Sequence, residues 1–153
     1  MSRRWVAAGA AVLAAGVVLA LAVSRGEPSP GPELRALRED PLASYVPPDS
    51  RLVRTDAGEE KSGGMFTKPS EATFQRLFAL APDAGPAALR DAIDAARAAG
   101  WTVQPPLGDL GSTGSKQLST GKATMSVGLI TDARATPENI PPPVLSIALQ
   151  HIR

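Results

Sequence analysis

The sequence predicts an α+β domain behind an N-terminal transmembrane helix and a proline-rich linker. Three observations carry this reading. Residues Trp5–Val23 form an unbroken apolar run. One segment, Pro86–Ala99, has a helical stripe between a starting proline and a terminating glycine. Several later segments alternate apolar and polar side chains with period two. The domain boundaries that follow are 1–23 for a membrane signal anchor, 24–50 for a linker outside the membrane, and 51–153 for a small α+β domain. Its element order reads β-β-α-β-β-β, a mostly antiparallel sheet with one packed helix.

The apolar run WVAAGAAVLAAGVVLALAV carries no charge. As a helix it is about 28 Å long, close to the hydrocarbon thickness of a bilayer. Arg3 and Arg4 precede it. Short positively charged tails stay in the cytoplasm, which places the rest of the chain outside. Ala20-Leu21-Ala22 has the small-x-small form of a cleavage site, so a removed signal peptide is the alternative. The length of the run and Trp5, which suits a membrane interface, favour a retained single-pass anchor. Arg far outnumbers Lys and Ala is abundant, the usage of GC-rich bacterial genomes.

Between Ser24 and Ser50 lie Pro28, Pro30, Pro32, Pro41, Pro47 and Pro48. Such a stretch favours extended segments reaching at most roughly 80 Å, and so reads as a tether. Within it, Glu33–Glu39 (ELRALRE) can form two helical turns. The domain itself begins near Tyr45.

Arg51-Leu52-Val53-Arg54 reads as a short strand, and Asp56–Gly64 as a turn or loop. In Ala72–Leu80, Phe74, Phe78 and Leu80 share one parity, which predicts a strand; Phe74, Leu77 and Phe78 also fit a helical stripe. Pro86 starts and Gly100 stops the helix, with Leu89, Ala92, Ile93 and Ala96 on its inner face. Arg90, Asp91, Asp94 and Arg97 lie on the outer side, where Arg90 and Asp94 are spaced to pair. Trp101 follows as a core residue over the helix end, opening a short strand to Gln104. Ala123–Thr131 and Val144–Ile152 alternate as half-buried strands.

The stretch GSTGSKQLSTGK, Gly111–Lys122, has the vocabulary of catalysis. A phosphate-binding loop needs glycine where Lys116 stands and a hydroxyl where Ala123 stands. The Ser119-x-x-Lys122 spacing works as nucleophile and base only on a helix, which Thr120-Gly121 interrupts. The stretch therefore reads as a loop, with Thr120-Gly121 closing a hairpin in which Lys116–Ser119 pairs with part of Lys122–Ser126, and with Lys116 and Lys122 pointing into water.

Other chemistries lack their residues. There is no cysteine, hence no disulfide, thiol catalysis or cysteine-ligated zinc. His151 is the single histidine, too few for a metal site or a hydrolytic triad. Asp91 and Asp94 read as a solvated helix face. Glu59-Glu60, in a glycine-flanked loop, has at most weak cation affinity. Over residues 44–153 basic and acidic side chains are equal in number, which argues against nucleic-acid binding. No catalytic, cofactor or metal residue is assigned. The function expected is a non-catalytic binding or accessory module outside the cell membrane, with a protein, cell-envelope polymer or small ligand as partner. A small envelope enzyme with a dispersed site is the alternative.

Overall fold

The computed structural model describes residues 29–62, 65, 70–106, 108–136 and 140–152. The expected membrane span, residues 5–23, lies outside them. Among the described residues no helix is long and apolar enough to cross a membrane.

The fold is α+β. Strands β1 (Arg51–Gly58), β2 (Thr73–Ala79), β3 (Thr102–Val103), β4 (Gly111–Leu118), β5 (Gly121–Ile130) and β6 (Val144–Ile152) form one sheet. Its order is β1-β2-β6-β5-β4-β3, and every pairing is antiparallel. Helices α1 (Pro32–Glu39), α2 (Pro41–Ser44) and α3 (Gly85–Ala98) cover one face.

Alternation decides which face is covered. Ala123, Met125 and Val127 of β5 are buried, and they register with His151, Leu149 and Ile147 of β6. Phe78 of β2 continues the row against Leu145. The apolar face of α3, Leu89, Ala92, Ile93 and Ala96, packs on it, as the helical stripe predicts. Gly100, at φ 86°, ends that helix in the left-handed conformation that glycine tolerates. Within residues 72–80, Thr73–Ala79 form a strand, β2; the helical alternative is not what forms.

The proline-rich stretch is only in part a tether. From Pro32 onward it belongs to the fold: α1 buries Leu34 and Leu37, α2 buries Leu42 and Ala43, and all four join the core. Each helix begins on a proline in its first turn, where the missing N–H costs nothing. Asp40 accepts the Leu42 N–H and caps α2. Arg76 fixes the far end, donating to the carbonyl oxygens of Ala43 and Tyr45 at 2.9 Å each. Burial lowers its pKa from the ordinary arginine value.

Two strands exceed their expected lengths. β1 runs on to Gly58, through residues expected to turn, and Lys61 pairs back to Ser70 beyond it. A bulge at Val53 breaks its register with β2. The pairing expected for Lys116–Ser119 begins earlier: Gly111–Leu118 is the complete strand β4, paired along its whole length with β5, so Gly111–Ser115 are strand rather than loop. Its glycines serve close approach. A Cβ on Gly114 would sit 2.8 Å from Met125 Cε and 2.9 Å from the Thr102 carbonyl oxygen. The hairpin does form, with Leu118 facing Gly121 across Ser119-Thr120.

Candidate binding face

Among the described residues the second face of the sheet carries no helix, although Leu77 and Val144, which share its parity, are buried. Alternation places Thr73 and Gln75 of β2 there, with Ser146, Ala148 and Gln150 of β6. Thr124 and Ser126 of β5 and Thr113, Ser115 and Gln117 of β4 extend it. The reason lies in the same period-two pattern that builds the core: the buried Ala123, Met125, Leu145 and Leu149 are followed by Thr124, Ser126, Ser146 and Gln150. The four inner strands thus present hydroxyls and amides. Gln75 donates to Ser146 at 2.9 Å, and Gln150 donates to Glu71. These bonds fix the two amides in place.

The face is hollowed along β1, β2 and β6. One groove of about 400 Å³ is bounded by Asp56, Thr73, Gln75, Ala148 and Gln150. A second, of about 550 Å³, adjoins it through Gly58, Thr73 and Gln150 and reaches Glu59, Lys61, Ser70 and Glu71. Arg54 and Asp56 pair at 2.7 Å beside the first groove, so its rim charges offset each other.

The residues singled out in the sequence do not converge. Ser119 sits exposed in the hairpin turn, and Lys122 is exposed at the start of β5. Lys116 does not point into water. Its ammonium lies 2.6 Å from Asp40 Oδ2 and donates to the Ala99 carbonyl oxygen at the end of α3. Trp101 is buried as expected, and its indole N–H donates to Asp40 Oδ1 at 3.0 Å.

His151 is buried on the helical side, its Nε2 3.2 Å from the Thr120 carbonyl oxygen. Its Nδ1 makes no hydrogen bond and lies 3.8 Å from Glu60 Oε2. Glu59 turns elsewhere, accepting the Gly31 N–H at 3.1 Å, so the adjacent carboxylates do not share a site. Asp94 pairs with Arg97 at 2.7 Å, one helical turn on, instead of with Arg90. Among the described residues no three of His, Cys, Asp and Glu are grouped for a metal ion.

Asp40 and Arg76 were not legible as anchoring residues. The one sequence signal for Asp40 was its place before Pro41, a capping residue ahead of a first-turn proline. Comparison with known proteins brings no relative to bear: no family model, curated protein or solved structure matches the chain.

Proposed function

We propose that this chain is a membrane-anchored, extracytoplasmic binding or accessory module, non-catalytic, whose contact surface is the uncovered face of the sheet. One observation carries the reading. That face offers grooved, pre-positioned hydroxyl and amide groups on rigid strands, with little net charge along its rim. Such groups fit a ligand recognised by hydrogen bonding. Nucleic acid would call for a basic surface. The buried His151 and Asp40 and the half-buried Lys116 serve packing and capping within the fold.

Complementation of a deletion strain with a measurable phenotype tests the proposal. Thr124→Arg and Ser126→Arg each put a cation on the face without entering the core. Both are expected to lose function while the thermal melt stays at the wild-type temperature. Full complementation by both would remove this face as the contact surface.

A further inference from the structure

We infer that the domain sits close against the bilayer, with the sheet end formed by residues 58–62, residues 70–73 and the β4–β5 turn directed toward the lipid headgroups. The inference rests on the anchored reading of residues 5–23 and adds to it a distance and an orientation.

The distance follows from α1. Its leucines Leu34 and Leu37 are locked into the core. Gly31, at the start of that helix, is tied to Glu59. Only residues 24–30 then separate the apolar run from the folded unit. Fully extended, that segment spans at most about 25 Å. The longer tether suggested by the prolines does not exist, because its second half is folded.

The orientation follows from where Gly31 is held. Glu59 directly follows the last residue of β1. Gly58 pairs with Thr73, and Thr73 with Gln150, so the same end of the sheet holds the start of β2 and the end of β6. Lys122 pairs with Ile152, which brings the β4–β5 turn to that end as well. The opposite end carries the start of α3: a Cβ on Gly85 would lie 2.9 Å from Leu129 and 3.5 Å from Pro143. A strand of about eight residues puts these ends about 25 Å apart. A leash this short, attached at one end, keeps that end near the membrane.

The absence of cysteine makes the test direct. Ser119→Cys labels the near end and Asp83→Cys the far end; both positions are exposed. The full-length chain, labelled with a donor dye, is reconstituted into phosphatidylcholine vesicles containing a headgroup-labelled acceptor lipid. Energy transfer several-fold more efficient from Ser119→Cys than from Asp83→Cys is expected. A Gly-Ser insertion after Glu27 that doubles the segment should erase the difference. Co-flotation with vesicles but equal transfer from both sites would overturn the close seating and leave the anchor intact. Failure to float with the vesicles would overturn the anchor, and the seating with it.

Discussion

Asp40 and Lys116 stand 76 residues apart in the chain and meet at 2.6 Å, joining the α1–α2 layer to β4. The Asp40 side chain is 1% exposed and already accepts the Leu42 and Trp101 N–H groups. The pair thus links a helix cap, an indole and the end of α3 through one ammonium group. Lys116→Met should cost about 3 kcal/mol in urea unfolding, because it leaves a buried carboxylate without its cation. Asp40→Asn/Lys116→Met should recover part of that loss, since neither charge remains. A cost of Lys116→Met below about 0.5 kcal/mol would place the pair among surface ion pairs.

A fragment starting at Tyr45 should fail to fold cooperatively, whereas one starting at Ser29 should melt in a single transition. The shorter fragment lacks Leu34, Leu37 and Leu42, each buried to within a few per cent. Each contributes about 2 kcal/mol of burial, and together they rival the stability of a small domain. Circular dichroism melts of the two fragments compare them. A cooperative melt of the Tyr45 fragment at the same temperature would show that α1 and α2 are dispensable.

The β4–β5 turn should tolerate loss of its reactive-looking side chains but not of its glycine. Ser119→Ala and Lys122→Ala are expected to leave the melting temperature and the cellular function unchanged. Gly121 has φ 140°, and a Cβ there would sit 2.9 Å from His151 Nε2. Gly121→Val should therefore cost about 1–3 kcal/mol. Loss of function in Lys122→Ala with an unaltered melt would make the turn a functional site.

Tyr45 is the single tyrosine, so its ionisation can be followed by ultraviolet absorbance. Burial, and then the charge of Asp91, raise its pKa above the ordinary value of 10.0. The folded state therefore holds the proton more tightly than the unfolded state. This contribution is complete below the unfolded pKa of about 10 and is lost as pH rises through the folded value. Tyr45→Phe should flatten the fall in melting temperature on the alkaline side of pH 10. An absorbance midpoint at or below the free tyrosine value would contradict this.

What could be read from the sequence follows the physics of each element. Helix α3 announces itself through Pro86, Gly100 and a stripe with period near 3.6. Strands β5 and β6 do so because Met125, Val127, Ile147 and Leu149 alternate with small polar residues. Strand β4 has no such pattern. Its inward positions are Ser112, which donates to the Gln104 carbonyl oxygen, Gly114, which leaves room for Met125 and Thr102, and Lys116, which pairs with the distant Asp40. The two turns expected over Glu33–Glu39 form as α1, but α2 and the docking of both helices on the sheet are masked by prolines, whose role as first-turn residues emerges only once the leucines find the sheet. The candidate face was invisible for a different reason. Outward Thr, Ser and Gln residues look alike whether they meet water or a ligand, and only the grooves along β1, β2 and β6 set some apart.

The bulge at Val53 has a consequence for molecules confined to a plane. Anchored proteins meet neighbours at high lateral density, where an open sheet edge invites strand-to-strand polymerisation. Here one margin is kinked at Val53 and bears Arg51, Arg54 and Asp56, while the other is a two-residue strand followed after Gln104 by Pro105-Pro106. Neither margin offers a straight, uncharged ladder for a neighbour to extend. On the anchored reading proposed above, crowding in the membrane would bring copies side by side without fusing their sheets.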